Sequence, residues 1–212
     1  MNLEDDPLDP PKRLAITYFK GDAKALLEAL LKFDVRLGQI VLRGSEVVIG
    51  QMRMAWWRDV IASDLDAWPK GEPSIAELAV IAEKLGKGSL ESALAAIIDS
   101  WDILLANEVW SRDILIEHAR LRSDGIFLHM AKVWGQTSIA PVFDHGKIWA
   151  LCELGYRSDT DIKSAIGSVS KAARLPREAR GLSILSMAAR QQYYGGGGFS
   201  GVRLLWHGLT GM

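Results

Sequence analysis

Two features of this chain predict an all-α fold: apolar residues recur at three- and four-residue intervals through most of its length, and no stretch alternates apolar and polar residues between turn signals. A hydrophobic content of 49% against 24% charged places it among ordinary globular proteins. With 212 residues and no break in composition, one helical domain over residues 12–212 is expected behind a flexible, acidic and proline-rich tail over residues 1–11.

Residues 12–19 are expected to form a short helix. Asp22 is placed to cap a longer one running to about residue 42, and Gly44-Ser45 ends it. The third helix covers about 46–65. Its apolar residues fall on two sides, with Ile49, Met52, Trp56 and Val60 on one and Met54, Trp57 and Ile61 on the other, which predicts burial of both. Residues 68–73 (WPKGEP) read as a loop, and Ser74 with Glu77 as a capping box for a helix ending near Gly86. Ser89 opens the next helix, where Leu90, Leu94, Ile97, Trp101, Leu104 and Leu105 follow one face. A long helical stretch over 110–134 is softened at Gly125, and Asp144 opens a helix through Gly155. Leu175-Pro176 then precedes a helical run over 177–192, the glycines at 195–198 form a hinge, and a short helix over about 199–208 follows. No repeat of fixed period appears.

The net charge of -1 argues against general attraction to nucleic acid or anionic lipid, so any such contact has to come from a local basic patch. Cys152 is the only cysteine, which excludes an intramolecular disulfide and a multi-cysteine metal site and suits a reducing cytoplasm. The opening residues lack the basic and apolar character of a secretory leader. No apolar run approaches the roughly 20 residues of a membrane-spanning helix.

One segment is distinctive. Residues 33–59 read FDVRLGQIVLRGSEVVIGQMRMAWWRD, a helix, a short turn and a second helix carrying Ile49, Gly50, Met52, Arg53, Met54, Trp56 and Trp57. This hairpin resembles the front part of squalene/phytoene synthase-like proteins, most closely the branch containing the mitochondrial complex I assembly factor of that family. Residues 149–156, and Arg174-Leu175-Pro176 leading into 182–190, are similar to the family's later helices. The resemblance implies a shortened helical bundle of the isoprenoid synthase type around a deep apolar cavity. Active members join two prenyl diphosphates using magnesium held by two aspartate-rich motifs.

Those motifs have a plain chemical reason. Magnesium bridges a multiply charged diphosphate to the protein and takes carboxylate oxygens, and aspartates four apart on a helix present both carboxylates to one side. Aligning Phe33 with the phenylalanine that opens the family's first motif puts its aspartates on Gly38, Gln39 and Leu42, none of which carries a carboxylate. Around the second motif stand Glu153, Asp159 and Asp161, at spacings that do not reproduce it. The literal D-x-x-x-D of Asp5 and Asp9 lies in the tail, where no cavity helix is expected to present it.

Each candidate has a plainer role beside the functional one. Trp56 and Trp57 are candidates to line a pocket or stack an isoprenoid, yet adjacent helix positions diverge by about 100°, so at least one is expected in the core. Arg53 requires a counter-charge or a polar cavity, with Asp34 or Glu46 as its expected partner. Arg36 and Arg43 lie seven apart on one helix face and are candidates for a basic patch with Arg53 or Arg58, or are simply solvated. The carboxylate pairs Asp113/Glu117 and Asp99/Asp102 have metal-like spacing that helix surfaces often show by chance. His118, His129, His145 and His207 share no ligand spacing, the glycines at 195–198 form no phosphate loop, and nothing resembles a nucleophile elbow.

The expected pocket therefore involves Asp34, Arg36, Arg53, Trp56 and Trp57, with no catalytic residue and no metal ligand. The leading expectation is a degenerate member of isoprenoid biosynthesis ancestry that binds an isoprenoid, another lipid or a protein partner, with a role in respiratory complex assembly suggested by the branch it resembles. The alternatives are an active head-to-head prenyl transferase using magnesium and atypical acids (Glu153, Asp159, Asp113, Glu117), and a helical adaptor with no pocket.

Overall fold

The computed structural model describes residues 7–44, 46–133, 135, 139–155, 159–169 and 172–195. Among them every regular element is helical, as the periodicity predicts. The expected glycine hinge beyond Gly195, the helix over 199–208 and His207 lie outside the described residues.

Helix α1 (Pro10–Ile16) begins inside the supposed tail. The Asp9 carboxylate accepts from the Lys12 backbone N–H at 3.0 Å, and Pro10 and Pro11 take first-turn positions where a missing N–H does no harm. Leu8 is buried as well. The described end of the tail is thus built into the fold rather than flexible, because a cap and two prolines start a helix there.

Helix α2 (Gly21–Arg43) opens after Lys20, with Asp22 in its first turn rather than at its cap. It buries Leu26, Leu27, Leu30, Leu31, Phe33 and Leu37. Each such side chain contributes roughly 1.5–3 kcal/mol when fully buried. Helix α3 (Val47–Ala62) corrects the sequence reading. Gly50, Met54, Trp57 and Ile61 face the core, whereas Ile49, Met52 and Trp56 are exposed and Val60 is half-buried. Its packing partners are α5 and α2, both on the same side, so its second apolar face has no cover among the described residues.

Helix α4 (Pro73–Leu85) starts one residue before Ser74, with Glu72 at the cap and no capping box. Glu77 instead reaches across to Lys32 of α2 at 2.7 Å. Helix α5 (Lys87–Leu105) opens two residues before Ser89 and buries the predicted face except for Leu105, which is half-buried. Helix α6 (Arg112–Ser123) runs through a wide turn at Asp124–Leu128 into α7 (His129–Val133). Gly125 sits in this turn: a Cβ there would come within 2.6 Å of the Ala93 carbonyl oxygen, so only glycine lets α5 and the turn approach backbone to backbone. Helix α8 (Ile139–Leu154) begins before Asp144, and α9 (Asp159–Ser168) and α10 (Arg180–Tyr194) complete the described set.

Helix α6 packs between α5 and α8, α10 lies along α8, α1 bridges α10 and α2, and α2 rests on α4 and α5. Buried side chains from all of these helices join one hydrophobic cluster. No helix among the described residues is long and apolar enough to cross a membrane.

Candidate functional site

Five helices meet at a polar centre. Asp34 of α2 is fully buried and accepts from Arg122 of α6 through two bonds, Nε at 2.8 Å and Nη2 at 2.6 Å. The indole N–H of Trp101 on α5 donates to the same carboxylate at 2.8 Å. Arg122 also reaches Glu153 of α8 at 3.0 Å, and Glu153 pairs in turn with Lys12 of α1, whose ammonium contacts Asp9 at 2.7 Å. The guanidinium lies 4.0 Å from the Trp149 ring centre and 4.8 Å from that of Trp101. Three carboxylates and two cations, each bonded to the next, form a continuous chain through the bundle.

Mutual attraction favours the charged forms of Arg122, Lys12 and Glu153. Burial opposes the charge on Arg122, but Asp34 and then Glu153 outweigh it and raise its pKa above the ordinary arginine value. Burial opposes the charge on Lys12 in the same way, and Glu153 and Asp9 outweigh it. Burial pushes the Glu153 carboxyl up, yet Lys12 and Arg122 bring it below the usual carboxylate range. Beside the cluster, His118 is driven down to about 3 by burial and by the charge of Arg122, against the opposing bond to the Ser100 carbonyl. Its Nδ1–H donates to that carbonyl at 2.6 Å, so the ring is neutral with the proton on Nδ1.

Gly38, Gln39 and Leu42 line a cavity of about 300 Å³ whose opposite wall is Lys12, Arg122 and Glu153. Gly38 lies under Trp101, where a Cβ would meet the ring at 2.9 Å. Asp9 lines the same cavity, contrary to the expectation that the tail cannot present it; Asp5 lies outside the described residues.

A second, larger hollow of about 730 Å³ opens between α2 and α3. It gathers Arg36, Arg53, Trp56 and Trp57 of the expected pocket, together with Gln39 and Arg43. Asp34 is not among them. The expected ion pair of Arg53 with Asp34 or Glu46 is overturned: Asp34 belongs to Arg122, and Arg53 is exposed with no ion pair among the described residues. Trp57 is core, edge-on to Phe33 at 5.0 Å, while Trp56 is 44% exposed and leans edge-on against Trp57 at 4.9 Å.

The remaining candidates scatter. Arg58 is drawn away from the basic patch by Asp99 and Asp102, at 2.8 Å each. Glu117 is held by Arg120 at 2.7 Å, and Asp113 stands in solvent. Asp161 is exposed, and the side chain of Asp159 lies outside the described residues. His145 is bound to Ser186 and to the Ala173 carbonyl, far in role from His118. No group of three metal-binding side chains assembles among the described residues.

Sequence reasoning missed Lys12, Trp101 and Arg122 as members of the polar centre. One signal was available for Arg122: it continues the stripe Leu115, His118, Ala119 at helical spacing, and all three are buried. A cation on a buried stripe demands a buried partner. The geometry defines an all-helical bundle with an internal ion chain and an open cationic groove. No family model, curated protein or solved structure matches this chain.

Proposed function

We propose that this chain is a non-catalytic, squalene/phytoene synthase-like bundle that binds an isoprenoid or related lipid in the groove between α2 and α3. The observation that carries this reading is the wall facing Gly38, Gln39 and Leu42: its acids are already matched by Lys12 and Arg122. Magnesium needs free carboxylate oxygens. One amide and acids neutralised by fixed ammonium and guanidinium groups do not fit it, so no metal-assisted step is assigned to this cavity. The groove supplies what a lipid needs: Ile40, Ile49, Met52 and Trp56 for a chain, and Arg36, Arg43 and Arg53 for an anionic or polar head.

Incubation with farnesyl or geranylgeranyl diphosphate and magnesium is expected to release no pyrophosphate; chelator-sensitive turnover would establish the active transferase instead. Thermal shift with the same isoprenoids is expected to show stabilisation, which reaches roughly 2.7 kcal/mol at 100 times the dissociation constant. Absence of any shift would favour a helical adaptor, including one acting in respiratory complex assembly.

A further inference from the structure

The face that contains the groove combines exposed apolar side chains with arginines that make no ion pair among the described residues. Of the ten large apolar side chains exposed among the described residues, five stand on the first ten residues of α3: Val47, Val48, Ile49, Met52 and Trp56, between 44% and 68% exposed. Scattered exposed apolar residues are normal; Val48, Ile49, Met52 and Trp56 fall within about 100° of one another around α3, and such a contiguous set on one helix face marks an interaction surface. Beside them Arg36 and Arg43 project from α2 and Arg53 from α3. None of the three makes an ion pair among the described residues, although Arg13, Arg58, Arg120 and Arg122 all do. Among the described residues lining the groove Glu72 is the sole acid, leaving an excess of two positive charges there, while Glu46 and Asp59 stand exposed outside the lining.

From this juxtaposition we infer that the α2–α3 corner docks on an anionic bilayer surface, with the exposed face of α3 entering the headgroup boundary and Arg36, Arg43 and Arg53 meeting lipid phosphates. Three physical arguments select a bilayer. An apolar stripe flanked by arginines is the pattern of a helix lying in a membrane interface. Trp56 keeps an apolar ring and a polar N–H on that face, which suits the boundary between chain and headgroup. Arginine stems also lie along apolar surface while their heads reach phosphate. The chain as a whole is nearly neutral, so general attraction is weak, and Arg36, Arg43 and Arg53 beside the apolar face, unpaired among the described residues, set the orientation of the protein on the surface.

Docking shares a face with the groove proposed to bind lipid but does not require it, since it engages the rim and the exposed face of α3. Sedimentation of the full chain with vesicles tests it, using phosphatidylcholine alone and phosphatidylcholine mixed equally with phosphatidylglycerol. Binding is expected to the anionic vesicles only and to be released by high salt. Arg43→Gln with Arg53→Gln is expected to weaken it roughly 25-fold, about fivefold for each arginine removed. Val48→Glu with Met52→Glu should abolish it, and Ile139→Glu on α8 should leave it unchanged. Equal binding to both vesicle types, salt-insensitive binding, or parent-like binding by the double arginine variant or the Val48/Met52 double variant would overturn the inference. Failure to sediment with either vesicle would also overturn it, and would point to a protein partner. The salt arm uses the parent chain, so a variant that folds poorly does not decide the outcome. Isoprenoid stabilisation without vesicle binding sinks the docking alone, and vesicle binding without isoprenoid stabilisation sinks the groove reading alone.

Discussion

Removing one member of the central ion chain should have a cost set by what the remaining members can neutralise, and that makes Arg122 and Asp34 unequal. The intact centre holds Asp9, Asp34 and Glu153 against Lys12 and Arg122. Asp34→Asn removes one negative charge but leaves Arg122 paired with Glu153 and allows an amide oxygen to accept from Trp101. The loss is that of a charged hydrogen-bonding partner, roughly 1.5–3 kcal/mol. Arg122→Met leaves the Asp34 carboxyl at zero exposure with only the Trp101 N–H, strips Glu153 of one partner and empties the space over Trp149. An orphaned buried charge of this kind costs roughly 3–5 kcal/mol. The double variant should be less destabilised than the sum of the singles by about 1–3 kcal/mol, because the second change removes the charge that the first had orphaned. Urea unfolding followed by circular dichroism reads all three from the midpoint, given an unchanged slope. Equal effects of the two single variants, or additivity in the double, would refute the account of the centre as a coupled chain.

Acid stability should show two steps. The folded-state pKa of His118 is depressed to about 3 from an ordinary 6.5, so between these values the unfolded chain binds a proton that the folded one refuses, and stability falls as pH falls through that window. At 1.36 kcal/mol per unit the loss by pH 3.5 is roughly 4 kcal/mol, and His118→Gln should flatten this limb in pH-dependent unfolding. A variant with the parent's acid limb would count against the neutral buried ring. Glu153 acts lower: its folded pKa is below the ordinary carboxyl value, so its contribution is present above that value and lost as pH falls through the folded one. Gly38→Ala should cost about 1–3 kcal/mol, because the added methyl meets Trp101 at 2.9 Å on the ring that anchors Asp34. A thermal unfolding midpoint equal to the parent's would show that α2 and α5 separate more easily than this packing implies.

The helical hairpin of α2 and α3, the buried face of α5 and the weak point at Gly125 were legible because each is written in spacing along one helix. Helix starts were less so. Glu77 has the spacing of a capping residue yet serves Lys32, since a long side chain takes the nearest opposite charge on the neighbouring helix. The pocket was half legible: Arg36, Arg53, Trp56 and Trp57 do share a groove, but Asp34 faces the other way.

What the sequence determined by itself was the helical class and the absence of carboxylates at Gly38, Gln39 and Leu42, because periodicity and residue identity are local properties. Only the tertiary structure decided which apolar face of α3 is covered and which charges are partners. Arg122 and Asp34 stand 88 positions apart, and Lys12 and Glu153 141 apart, so no local pattern joins them. Burial, which turns a charge from a solvated ornament into a group that must find its opposite, exists only once the helices have packed.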